Sequence, residues 1–122
     1  MFLEDKGLYT LTDFRREETA ITAAIRLQSA HEIFTGHFPG RPVLPGVCML
    51  QISQELLEKA TGTRLLMHRT GQVKFLQPVD PEKTPELQIS IRATDSLDNV
   101  QVNWTDATGG AVLKYTADFK IV

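Results

Sequence analysis

Apolar and polar residues alternate along much of this chain. In the segment from Ala20 to Leu27, Ile21, Ala23, Ile25 and Leu27 alternate with Thr22, Ala24 and Arg26. A period of two sends the two sets to opposite faces, so the segment is predicted as a half-buried β-strand. Residues 8–14 form a weaker strand candidate. Val73 and Phe75 flank Lys74 in another short one, closed by Pro78. The C-terminal third alternates most cleanly. Leu87, Ile89, Ile91 and Ala93 oppose Gln88, Ser90 and Arg92. Val100, Val102 and Trp104 oppose Gln101 and Asn103. Leu113, Tyr115, Ala117, Phe119 and Ile121 oppose Lys114, Thr116, Asp118 and Lys120. Turn signals at Asp98-Asn99 and Gly109-Gly110 separate these runs, which predicts an antiparallel meander with one wet and one dry face.

Residues 47–59 (VCMLQISQELLEK) break the alternation. The run is too long for an ordinary strand, is rich in helix formers, follows Pro45-Gly46 and is closed by Gly62. Its first half, Val47-Cys48-Met49-Leu50, is apolar all round and is predicted buried on every side. Glu55, Glu58 and Lys59 point the second half toward solvent. About six strands and a single helix are too few helices for a doubly wound α/β fold. The pattern therefore predicts an α+β domain spanning residues 1–122, a curved antiparallel sheet wrapped around one long helix.

Composition adds limits. The 122 residues carry a net charge of −2, so no global basic field exists to hold nucleic acid. Cys48 is the one cysteine, and an internal disulfide is excluded. In an apolar run it reads as a small buried side chain rather than a nucleophile. The first residues lack a basic stretch leading into an apolar one, and no apolar run reaches membrane-spanning length. The expectation is a cytoplasmic protein.

The chemistry concentrates in residues 36–46, GHFPGRPVLPG. Proline fixes φ and glycine admits positive φ, so such a loop is stiff and sharply turned. It is either a rigid connector or a device that aims His37 and the helix start at one spot. A helix N-terminus offers unpaired N–H groups and partial positive charge, suited to an oxygen that becomes negative during reaction. Histidine is the side chain best able to move a proton near neutral pH. Together they could remove a proton alpha to a thioester.

GHFPGRPVLPGV followed by an apolar helix resembles the signature of the beta-hydroxyacyl-[acyl carrier protein] dehydratases. Ala30-His31-Glu32-Ile33-Phe34-Thr35 is similar to that family's lead-in, and Gln72-Val73-Lys74-Phe75-Leu76-Gln77-Pro78-Val79 to its next strand. The resemblance implies a hotdog fold and pairing as a homodimer, a higher homo-oligomer or a heterodimer. It also implies an acyl chain on the phosphopantetheine arm of an acyl carrier protein, and loss of water from a 3-hydroxyacyl thioester to give the trans-2-enoyl thioester. His37 falls on the catalytic histidine, and Gly46 on the glycine whose N–H binds the thioester carbonyl. No metal or organic cofactor is implied. Phe38, Val47, Leu50 and Phe75 are expected to line the acyl tunnel, with Phe38 and Val47 against the substrate.

One departure stands out. The family carries a glutamate or aspartate on the central helix and a glutamine four residues later. Here those places hold Gln51 and Glu55. A carboxylic acid can protonate a departing hydroxyl, whereas a carboxamide only donates or accepts hydrogen bonds. Side chains in a helix lean toward its N-terminus, so Glu55 is expected to lean toward Gln51. Either Glu55 supplies the missing proton or it is a solvated helix residue. Gln51 in an apolar stretch needs a hydrogen-bond partner. The alternatives to a dehydratase are a catalytically degenerate acyl-carrier-protein-binding subunit of a heteromeric enzyme, and an acyl thioesterase. His31, Glu32 and His37 have the wrong spacing for a zinc helix, and His68 adds no pattern. Arg64, His68, Arg69 and Lys74 form a modest basic stretch, read as solvated surface or as a docking patch for the acidic carrier.

Overall fold

The computed structural model describes residues 2–35 and 42–122. Two helices, a short 3₁₀ turn and seven strands follow in chain order: α1 (Phe2–Asp5), β1 (Tyr9–Glu17), β2 (Ala20–Leu27), the 3₁₀ turn Glu32–Phe34, α2 (Gly46–Thr61), β3 (Leu65–Thr70), β4 (Lys74–Phe75), β5 (Glu86–Arg92), β6 (Val100–Asp106) and β7 (Ala111–Ile121). The strands form one antiparallel sheet in the order β1-β2-β5-β6-β7-β3, with β4 also pairing β7. The sheet curves around α2 in a hotdog fold, the architecture that the resemblance implied.

Alternation in the sequence becomes alternation in burial. β2 buries Ile21, Ala23, Ile25 and Leu27, and β5 buries Leu87, Ile89 and Ile91. These pair in register, Ile21 with Ile91, Ala23 with Ile89 and Ile25 with Leu87, so one continuous apolar face meets the helix. At the start of β7 the rule bends. Trp104 pairs with Leu113 but Thr105 with Ala111, leaving Val112 as a bulge residue. The extra residue lets Val112 and Leu113 both turn inward.

Helix α2 begins one residue before its predicted start and runs two beyond its predicted end. Gly62 closes it in the left-handed conformation at φ 71°, and its N–H donates to the Glu58 carbonyl. Ile52 and Leu56 are fully buried against the sheet, with Met49 and Leu57 beside them. Each such side chain contributes about 1.5–3 kcal/mol relative to exposure. The Ser53 hydroxyl donates to the Met49 carbonyl and accepts from Trp104 Nε1, both at 2.9 Å, which fastens helix to sheet. Farther along, Gln54 Nε2 donates to the Leu65 carbonyl, and Glu58 accepts from Leu65 N–H. These two contacts set where β3 starts.

Three expectations need correction. β3 was not foreseen, because this edge strand buries only Leu65 and its His68-Arg69 end reads as a basic loop. Val47 is 72% exposed, since the first turn of α2 turns that position away from the sheet, and Leu50 is only partly buried. Glu55, expected near solvent, is wholly buried, because α1 and Tyr9 pack over that part of α2. No helix among the described residues is long and apolar enough to cross a membrane.

Candidate active site

The head of α2 is held by its approach loop. Leu44 is buried, and its N–H donates to the Val79 carbonyl at 2.8 Å, tying the Pro-rich segment to the strand-side segment 77–79. Pro45 then sits at the N-cap with extended backbone (φ −61°, ψ 142°). Its carbonyl accepts from Cys48 N–H at 3.0 Å, and no side chain caps the helix among the described residues. The N–H groups of Gly46 and Val47, ahead of that first bond, are the ones a helix start leaves open. They carry the positive end of the helix dipole.

Gly46 has a packing reason to be glycine. A Cβ there would lie 2.7 and 2.8 Å from Cζ and Cε1 of Phe75, so the ring sits directly over the Gly46 backbone. Around this contact lies an apolar recess of about 430 Å³ lined by Val43, Leu44, Met49, Phe75 and Leu76. Phe75 and Leu76 are each 49% exposed. Gly46→Ala is expected to swing the half-exposed ring away while the fold persists. Thermal unfolding should move by only a degree or two, whereas kcat/KM of any reaction that uses this helix head should fall about 10- to 100-fold through misplacement. A variant that keeps full kcat/KM would show that the ring over Gly46 has no part in substrate handling.

About 7.5 Å along the axis, five residues of helical rise, lies Gln51. It is half-buried and donates from Nε2 to Glu55 Oε2 at 3.0 Å, so the expected lean of Glu55 toward Gln51 is present and the amide has found its partner. Glu55 also accepts from Leu3 N–H on both oxygens (3.0 and 2.9 Å), from Glu4 N–H (3.2 Å) and from the Tyr9 hydroxyl (3.1 Å). The carboxyl group thus anchors the first turn of α1. Burial first, then the charge and hydrogen bond of Glu55, push the Tyr9 phenol well above its ordinary range, so Tyr9 remains a donor. Neither Tyr9 nor the α1 amides carried any signal in the sequence as partners of Glu55.

The remaining candidates divide. His37 and Phe38 lie outside the described residues. Cys48 is buried, and burial pushes its thiol up, away from the thiolate form. His31 is structural: Nδ1 accepts from Ile33 N–H at 3.0 Å, and Nε2 lies 3.1 Å from the Lys6 carbonyl. His68 sits at a bulge in β3, with a ligand atom within 4.8 Å of those of Asp98 and Asp118. Asp118 already accepts from Asn99 N–H there. Arg64, Arg69 and Lys74 are exposed.

Comparison with known proteins places the chain. Residues 13–115 match the family model of ApeI-like proteins, described as the ApeI dehydratase. The 3-hydroxyacyl-[acyl-carrier-protein] dehydratase FabZ of Clostridium acetobutylicum is 33% identical over 67 residues, covering 49% of this chain and 48% of that protein. The FabZ of Fusobacterium nucleatum is 27% identical over 108 residues, covering 81% of this chain and 70% of that one. The match thus spans about half the length of the first of these relatives. Among solved structures, the dehydratase heterocomplex ApeI:P from Xenorhabdus doucetiae superposes with a TM-score of 0.78 at 16% identity, over 90% of this chain and 96% of that one. The fold and the family match agree: this chain belongs to the ApeI-like dehydratases, a FabZ-like family with the hotdog fold.

Proposed function

We propose that the protein is a hydro-lyase that removes water from a 3-hydroxyacyl thioester, carried on an acyl carrier protein, to give the trans-2-enoyl thioester. The observation that carries this reading is the head of α2, which no side chain among the described residues caps, with Gly46 beside an apolar recess. In this reading Gly46 N–H holds the thioester carbonyl as negative charge builds on its oxygen. Val47 and Phe38 flank the acyl chain. His37 takes the proton from the α-carbon, the Cα–Cβ double bond forms and the Cβ–O bond breaks. Gln51 has no acidic proton to give, and Glu55 is engaged by α1 and Tyr9. The imidazolium formed at His37 is then the acid that protonates the departing hydroxide, and water leaves.

Val47, Phe75 and Leu76 expose apolar surface around the helix head, which favours a second subunit covering this face. Thioester hydrolysis is the weaker reading, because it calls for a carboxylate facing the substrate. A heteromeric enzyme is favoured by one feature, the carboxamide at position 51, with a partner chain supplying the acid. The test is turnover by the purified chain alone. Incubated with a 3-hydroxyacyl-acyl carrier protein, it should release no free thiol and should form the enoyl thioester at an ordinary enzymatic rate. Turnover only after addition of a second dehydratase-like chain would move the assignment to the heteromer, and thiol release would move it to a thioesterase.

A further inference from the structure

On the wet face of the sheet, three separate elements bring metal-ligating side chains together. His68 belongs to β3, Asp118 to β7 and Asp98 to the turn between β5 and β6. A ring nitrogen of His68 and a carboxylate oxygen of each aspartate lie within 4.8 Å of one another. The backbone aims each of them there. The register of β3 on β7 slips between Met67 and Arg69, so His68 is the bulge residue. A bulge re-aims the side chain it carries. Asp118 stands between the buried Ala117 and Phe119 and therefore points to the other face of β7. Asp98 is pinned on both sides. The Leu97 carbonyl accepts from Phe119 N–H at 2.9 Å, and Asn99 N–H donates to Asp118 Oδ1 at 2.7 Å.

Two carboxylates this close repel each other, yet among the described residues no ion pair engages either of them or His68. The cations beside them, Arg69 on β3 and Lys120 on β7, are exposed and leave them unpaired. The gaps suit a bridging ion. Zinc binds imidazole nitrogen and carboxylate oxygen at about 2.0–2.2 Å, which sets two ligands about 3.4 Å apart at the tetrahedral angle. His68 and Asp98 are exposed, so rotation of their side chains closes the remaining distance. Asn99 holds Asp118 by Oδ1 and leaves Oδ2 for the ion, the outer hydrogen bond that orients a ligating carboxylate. The imidazole selects against calcium and magnesium, which take oxygen ligands.

We propose that His68, Asp98 and Asp118 bind one zinc ion, with water in the fourth position, and that the ion clips the edge strand β3 to β7 and to the β5–β6 turn. β3 buries only Leu65, so a link from its bulge to two neighbouring elements fastens the least buried part of the sheet. Asp118 lies five residues along β7 from Leu113, the partner of Phe75, about 17 Å at strand rise. The site is thus remote from the helix head, and it stands or falls apart from the dehydratase reading.

The test uses the full chain, stripped with a chelator, dialysed and titrated with zinc chloride by calorimetry. One ion should bind per chain, and at a hundredfold excess of zinc over Kd the melting temperature should rise by about 10 °C. His68→Ala, Asp98→Asn and Asp118→Asn should each weaken binding at least about tenfold. Without zinc the three variants should melt within about two degrees of the parent, as surface substitutions do. Asparagine at position 118 still accepts from Asn99 N–H. Should Asp118→Asn not fold, the two exposed positions decide alone. No binding up to about 1 mM zinc, the limit of a weak site, overturns the proposal. So does binding that is unchanged in His68→Ala and Asp98→Asn, which places the ion on other side chains. Binding that leaves the melting temperature of the parent where it was overturns the clip.

Discussion

Replacing His37 with alanine is expected to cost the enzyme at least about 10³ in kcat, with KM changed little. General acid–base catalysis by one positioned group contributes about 10²–10⁴. In most two-residue arrangements that loss covers one proton transfer, and the second group keeps working. In the proposed reaction the imidazole performs both transfers. Gln51 cannot release a proton, and Glu55 is enclosed by α1, Tyr9 and Gln51. The pH profile separates the two schemes. With His37 alone, kcat/KM should rise along one limb as the imidazole loses its proton, with no second limb above it. Gln51→Glu should add a falling limb, because an acid that must be protonated is lost as pH rises. The measurement is initial rate against pH for the parent, His37→Ala and Gln51→Glu. Near-parental turnover in His37→Ala would remove histidine from the mechanism. A two-limbed profile in the parent would mean that another acid serves.

Much of the fold was legible because sheet burial writes itself into sequence with a period of two. The bounds of β2 were readable to the residue, and the β5-β6-β7 meander differed only at its strand ends. Helix α2 was legible from its length and from Gly62. The failures share a cause: hydropathy says whether a side chain avoids water, not what covers it. Val47 is as apolar as Ile52, yet one is 72% exposed and the other fully buried. Glu55 is as polar as Lys59, yet its charge is surrounded by donors from a segment more than forty residues away. The spacing of Gln51 and Glu55 made their contact foreseeable, because residues four apart meet on one helical face. The burial of Glu55 was not, since it depends on α1 and Tyr9, which only folding brings to the helix. β3 escaped because an edge strand with one buried residue leaves almost no pattern.

Trp104→Ala is expected to destabilise the fold by about 3–5 kcal/mol, the range for truncating a large aromatic in a packed core. Trp104 is fully buried on β6, between Ile89 of β5 and Leu113 of β7. It also reaches the helix through Nε1 and Ser53. Domains of this kind are stable by only about 5–15 kcal/mol, so the variant should lose about a fifth of its margin or more. Ser53 keeps its bond to the Met49 carbonyl, which leaves no orphaned hydroxyl, and the cost is therefore mainly cavity. Trp104→Phe retains most of the ring but drops the hydrogen bond, and should cost about 1–2 kcal/mol. Urea unfolding followed by circular dichroism gives both numbers, provided the slope against denaturant stays constant. Equal losses in the two variants would mean that the bond to Ser53, not the volume of the indole, holds the sheet to α2. In that case Trp104→Phe should already loosen the helix, and with it Gly46 and Gln51, so its kcat/KM would fall as far as that of Trp104→Ala. With the cavity dominant, Trp104→Phe should keep kcat/KM within about twofold of the parent at temperatures where it is fully folded, because one neutral bond far from the helix head is too little to shift it.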